Sequence, residues 1–124
     1  MKDLLIVPDR DFELLIRLRL PAPLQRELDR AIVVSAEAVP PDVVTMTSRV
    51  LYTDESTGVR RLVTIVWPDE ADDTDGRVSV LAPVGSALLG LSVGQSIEWE
   101  FPDGRRRRLR LEDVLSQPVR HEAG

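Results

Sequence analysis

Ala82-Pro83-Val84-Gly85-Ser86-Ala87-Leu88-Leu89-Gly90-Leu91-Ser92-Val93-Gly94 is the stretch on which the reading of the fold turns. Pro83 fixes φ and lacks an N–H, which suits the first residue of a helix. Gly90 stands where a helix needs a residue tolerant of positive φ to stop. A strand therefore runs into a short helix. Gly94 opens a turn, after which Ser96-Ile97-Glu98-Trp99-Glu100-Phe101 alternates polar and apolar residues with the period of a half-buried strand. Strand, helix and strand form a corner around which the rest of the chain is arranged.

Downstream, Pro102-Asp103-Gly104 reads as a hairpin, with Asp-Gly as its two-residue turn, leading into a closing strand from Arg105 to Val114. Upstream, Val43 to Tyr52 and Val59 to Trp67 read as strands rich in β-branched residues, joined by a turn over Thr53 to Gly58. Arg77 to Leu81 is a further strand. The expected fold is α+β: a five-stranded, mostly antiparallel sheet around one short helix, without internal repeats.

The beginning of the chain is different in kind. Leu4-Leu5-Ile6-Val7 either docks as a strand or staples the helix that follows. Asp9 is a good N-cap, and Phe12, Leu15, Ile16 and Arg19 recur at helical spacing, predicting a helix from about Arg10 to Arg19. Pro21-Ala22-Pro23 stops it and begins a second helix with Leu24, Leu28, Ala31 and Ile32 on one face. The expected product is a short antiparallel helical hairpin over 1–34, with Arg19, Leu20, Pro21 and Pro23 at its tip. Residues 35–41 read as a linker, because the double proline Pro40-Pro41 forces extended backbone. Residues 42–115 form the sheet domain, and 116–124 have the composition of a loose tail.

A chain of 124 residues with 43% hydrophobic and 30% charged residues can bury a real core. Its net charge of −5 argues against general nucleic-acid binding, which needs a basic surface or stripe. The expected partner is a protein. Basic residues are almost all arginine, Lys2 being the one lysine, which suits bidentate contacts at an interface. The absence of cysteine excludes disulfides and thiolate chemistry. No apolar run approaches the roughly 20 residues that cross a bilayer. The N-terminus is too short and too early broken by Pro8 to read as a signal peptide, so the cytoplasm is the expected location.

Several stretches together carry a resemblance. Leu62-Val63-Thr64-Ile65-Val66-Trp67-Pro68-Asp69-Glu70-Ala71-Asp72, Gly76-Arg77-Val78-Ser79-Val80 and Pro83-Val84-Gly85-Ser86-Ala87-Leu88-Leu89-Gly90 resemble the C-terminal domain of the bacterial Gre transcription elongation factors. With Pro41-Asp42-Val43-Val44-Thr45-Met46-Thr47-Ser48-Arg49-Val50 added, the pattern is closer still to the Rnk branch, the Gre-related regulators of nucleoside diphosphate kinase, over residues 35 to 115. The resemblance implies an FKBP-like fold and RNA polymerase as partner. In Gre factors the loop equivalent to Leu81-Ala82-Pro83-Val84 docks on the rim of the polymerase secondary channel, on the β′ subunit. Pro83 matches that loop, while Ala82 and Leu81 replace its serine and a preceding acid. The resemblance therefore nominates Leu81, Ala82, Pro83, Val84, Ser86, Leu88 and Leu89 for docking, with Asp69, Glu70 and Asp72 as an electrostatic contact. Gre factors also carry a longer coiled coil whose acidic tip helps hold a catalytic magnesium. Arg19 to Leu24 contains no carboxylate, and magnesium needs oxygen donors, so transcript cleavage is not expected. The implied activity is regulation by occupancy of the channel mouth, in competition with Gre-like factors. Alternatives are a Gre-like effect on pausing through the hairpin tip and, lower, FKBP-like prolyl isomerisation.

Other constellations are less specific. Asp69, Glu70, Asp72, Asp73 and Asp75 crowd one loop. Aligning Gly76 with the glycine of a calcium-binding EF-hand leaves Ala71 and Ala82 at ligand positions, so the loop reads as solvated acid. Arg105 to Arg108 with Arg110 reads as charge on an edge strand, Arg105, Arg107, Leu109 and Leu111 on one face and Arg106, Arg108 and Arg110 on the other. His121 has no partner at catalytic spacing, and no nucleophile elbow or phosphate loop occurs. No catalytic residue, metal or cofactor is expected.

Overall fold

The computed structural model describes residues 5–117. The reading of His121 as an isolated histidine lies outside them. The main sheet contains β3 (Arg49–Asp54), β4 (Val59–Val66), β5 (Arg77–Ser79), β6 (Ser96–Glu100) and β7 (Arg106–Ser116), in the order β5-β4-β3-β7-β6. It is a mixed sheet. β3 pairs antiparallel with β4 and with β7, and β6 antiparallel with β7, but β4 and β5 run parallel, Thr64 facing Arg77 and Val66 facing Ser79. Period two announces a strand but not its direction. Here the segment 67–76, with 3₁₀ turns at Pro68–Glu70 and Asp73–Asp75, loops back before β5 begins.

The corner follows the expected plan. β5 leads into α3 (Pro83–Leu88), which has Pro83 at its start and packs on β6. Gly90 takes φ of 84° and its N–H donates to Val44 O at 2.9 Å. The β6–β7 hairpin has a three-residue loop instead of the two-residue turn. Phe101 N–H donates to Arg105 O and Gly104 N–H to Phe101 O, both at 2.9 Å, and Gly104 alone in the loop has positive φ. A primed two-residue turn needs positive φ at both central residues.

The strand expected from Val43 starts only at Arg49. Thr47 has φ of 64°, and the Thr45 N–H bonds Ser48 Oγ at 2.9 Å, so 45–48 turn sharply while Val43 to Met46 stay buried. β7 lies inside the sheet, so its arginines are not edge charges.

In the N-terminal part, β1 (Ile6–Pro8) and β2 (Ile32–Val34) pair in parallel. Between them lie α1 (Asp9–Leu15) and α2 (Ala22–Asp29), which makes the helices a crossover and not a free-standing hairpin. α1 ends a turn before Arg19, and Ile32 is an exposed strand residue, not part of the α2 face. Pro8 extends the strand, so Asp9 is the first helical residue and Pro8 the cap. Leu5, Leu15, Leu24 and Leu28 join the same core cluster as Val50, Ile65, Leu88, Leu109 and Leu111. Across the seam, Asp11 Oδ2 accepts the Met46 N–H at 3.1 Å. The expected loose tail starts fastened: Ser116 ends β7, and the buried Gln117 donates its amide to Pro40 O at 2.9 Å and Val43 O at 2.8 Å. No helix among the described residues is long and apolar enough to cross a membrane.

Candidate docking site around Pro83

Gly85 sets the position of the site. A Cβ there would collide with the backbone carbonyl of Ser79, so only glycine lets α3 lie this close to the end of β5. The Ser86 hydroxyl fixes the approach by donating to Val80 O at 2.7 Å. With the rest of α3 pressed inward, Leu81, Ala82, Pro83 and Val84 are left half-buried at the surface.

Pro83 forms a ridge between two grooves. One, of about 460 Å³, is lined by Pro21, Pro23, Leu81, Trp99 and Phe101 among others. The second, of about 490 Å³, is lined by Tyr52, Arg61, Val63, Val78, Val84 and Arg107 among others. The Arg107 guanidinium sits 4.7 Å from the Phe101 ring centroid and 3.7 Å from Asp54 Oδ2. Stacking and the ion pair hold that guanidinium where the two grooves approach each other.

Not every expected docking residue reaches this surface. Leu88 and Leu89 are 0% and 2% exposed and pack the core, and Ser86 is 1% exposed, its hydroxyl used within the fold. They shape the loop and offer a partner no side-chain surface. Of the tip, Pro21 and Pro23 are brought into the first groove, Leu20 packs against the core and Arg19 is exposed. Asp69, Glu70 and Asp72 are exposed and line neither groove; from the acidic loop, Asp73 lines the second. Asp72 accepts from Thr74 N–H at 3.0 Å and Thr74 Oγ1 at 2.7 Å, bonds that hold its carboxyl below the ordinary value. Asp75 pairs with Arg77 at 3.1 Å. Among the described residues no three His, Cys, Asp or Glu side chains converge as a metal site.

The arginine run on β7 alternates as expected, but its charges have partners in the fold. Arg106 pairs with Glu98 at 3.2 Å, Arg108 with Glu55 at 3.0 Å and Arg110 with Glu112 at 3.9 Å. Sequence reasoning missed Tyr52, Arg61, Trp99 and Phe101 as surface builders. Period two on β6 already puts Ile97, Trp99 and Phe101 on the face that meets α3. The pairing of Tyr52 with Arg61 needs the β3–β4 register, which the sequence does not display.

The sequence pattern of the family described as "Transcription elongation factor, GreA/GreB, C-term" matches residues 39–116. The chain belongs to the GreA/GreB family. It is 48% identical over 95 residues to the regulator of nucleoside diphosphate kinase of Escherichia coli, covering 77% of this chain and 70% of that protein. It is 36% identical over 85 residues to the transcription elongation factor GreA of Azorhizobium caulinodans, covering 68% of this chain and 54% of GreA. The chain thus spans about half the length of the GreA protein it matches. In structure it resembles a GreA/GreB elongation factor from Nitrosomonas europaea, with a TM-score of 0.73, 41% identity, and 93% and 100% of the two chains covered. Gfh1 of Thermus thermophilus aligns at a TM-score of 0.51 and 31% identity over 74% of this chain and 59% of its own. Within the GreA/GreB family, the shared region includes the whole Pro83 corner.

Proposed function

We propose that this chain is an RNA polymerase-binding regulator of the Rnk type, docking through the Pro83 ridge at the secondary-channel rim and competing there with Gre-like factors without cleaving transcripts. The observation that carries the reading is the placement of the α1–α2 connection. Pro21 and Pro23 lie against Leu81, Pro83 and Trp99, so the tip is folded onto the docking corner and not extended from it. A tip in that position carries no carboxylate and is held beside the rim contact, where it can occlude but not reach a catalytic metal. The half-buried apolar ridge flanked by grooves is the kind of surface on which a few desolvated contacts carry most of the binding energy. The acidic loop supplies charge beside the ridge and speeds association with a basic surface.

The test is binding of labelled protein to core RNA polymerase with unlabelled GreA as competitor. The expected result is mutual displacement, with Pro83→Ala weakening binding about tenfold. Absence of binding at micromolar polymerase overturns the proposal.

A further inference from the structure

The chain contains no asparagine, but aspartate is followed by glycine at Asp75-Gly76 and Asp103-Gly104. Glycine after aspartate leaves the linking peptide nitrogen unshielded by a side chain and free to turn, so it can attack the aspartate side-chain carbon. The fold treats the two pairs differently. At the first, Asp75 Oδ2 is anchored by Arg77 Nε at 3.1 Å, and Gly76 O accepts the Thr64 N–H at 2.9 Å, where β4 and β5 are in register. Gly76 is half-buried, and a Cβ there would stand 3.3 Å from Leu62 O. Turning the Asp75–Gly76 peptide towards the side chain would break the ion pair and the strand contact together. At the second, Asp103 and Gly104 are both exposed in the β6–β7 loop, and a Cβ on Gly104 would meet nothing within 4 Å. The Asp103 carboxylate accepts the Arg105 N–H at 2.9 Å, an Asx-turn that keeps it over the backbone that follows. Gly104 is tied only by its N–H bond to Phe101 O at 2.9 Å among the described residues. An exposed turn held by so few bonds opens locally at low cost.

We propose that Asp103 is a site of spontaneous isomerisation to isoaspartate, while the fold protects Asp75. The Gly104 nitrogen bonds to Asp103 Cγ and gives up its proton; the carboxyl hydroxyl leaves with that proton as water, and a cyclic succinimide remains. Water then reopens the ring. Addition at Cγ restores aspartate. Addition at the α-carbonyl carbon breaks its bond to the Gly104 nitrogen, so the chain now runs through Cβ and Cγ and the α-carboxylate is free. The composition of the protein is unchanged, and the one co-reactant is solvent water. Phe101 and Pro102 line the first groove, so a loop lengthened by a backbone carbon displaces one of that groove's walls. The Phe101 ring that stacks on Arg107 moves with it.

The test ages the full chain for several weeks at neutral pH and physiological temperature, once folded and once in urea. Electron-transfer fragmentation of its peptides distinguishes isoaspartate from aspartate at each position. Methyl transfer from S-adenosylmethionine by a protein isoaspartyl methyltransferase, which esterifies the freed α-carboxylate, gives the total. In the folded protein Asp103 is expected to convert about tenfold faster than Asp75, a modest difference in barrier. In urea the two should convert alike. Asp103→Glu, which would have to close a larger ring, should lose most of the methylation of the folded protein. Asp103→Asn, which releases ammonia in place of water, should become methylated faster than the parent. Equal conversion of Asp75 and Asp103 in the folded chain overturns the proposal, as does an Asp103 that stays intact there, whether or not it converts in urea. Neither readout involves polymerase, so the outcome is independent of the docking reading.

Discussion

Asp11 carries a carboxylate into the seam between the N-terminal crossover and the main sheet. Burial pushes its pKa from 3.8 up to about 6, opposed by the Met46 N–H bond and by Arg10, with Asp9 adding to the rise. Because the folded state holds this proton more tightly than the unfolded chain, stability is expected to fall as pH rises from about 4 to about 6 and then level off. Asp11→Asn keeps an oxygen acceptor for Met46 and removes the buried charge. It should therefore abolish that slope and be more stable than the parent above pH 6, by on the order of 1–2 kcal/mol. Urea titrations of both proteins at a series of pH values check this; a parent slope that survives in the variant refutes it. Residue-scale reading of the sequence succeeded where one residue type answers one backbone demand, as at Pro83 and Gly90, the latter also leaving no room for a Cβ beside Leu5. Asp11 was not legible, because the sequence does not show that Met46, far along the chain, presents its N–H to this carboxylate.

β7 shows what an element's periodicity reveals and what it hides. The alternation of arginine with Leu109 and Leu111 fixed which face is buried, and those leucines are 1% and 0% exposed. The role of the arginines depended on the strand's neighbours, which period two does not name. With β3 and β6 on either side, the outward arginines meet carboxylates of β6, of the turn after β3 and of β7 itself. Such exposed pairs contribute little each, since solvent screens them and two long side chains must be ordered. Arg108→Gln is accordingly expected to cost less than about 0.5 kcal/mol, whereas its neighbour Leu109→Ala should cost about 2–5 kcal/mol through lost burial and a cavity. Denaturant midpoints of the two variants measure the contrast, and equal losses would contradict it. The direction of β5 was hidden for the same reason, as its parallel pairing with β4 follows from the looped 67–76 connection and not from its three residues.

Over the whole molecule, composition changes at Pro40-Pro41 as if two units met, yet the core crosses that point. Leu5, Leu15, Leu24 and Leu28 pack with the sheet residues in one cluster, the Asp11–Met46 bond spans the seam, and Gln117 ties the end of β7 back to Pro40 and Val43. Helices of seven and eight residues cannot persist alone in water, so α1 and α2 take their stability from this shared core. Unfolding is therefore expected to be one cooperative transition, with far-UV circular dichroism, which sees the helices, coinciding with fluorescence of Trp67 and Trp99 on the sheet side. Leu24→Ala, at a position 0% exposed in α2, should then lower the midpoint of both signals together, by about 2–5 kcal/mol. If the helical signal alone were lost while tryptophan fluorescence kept its parent midpoint, the N-terminal crossover would be an independent appendage. Pro21 and Pro23 would then leave the Pro83 groove before the sheet unfolds, and the folded-back tip could not be part of the docking surface.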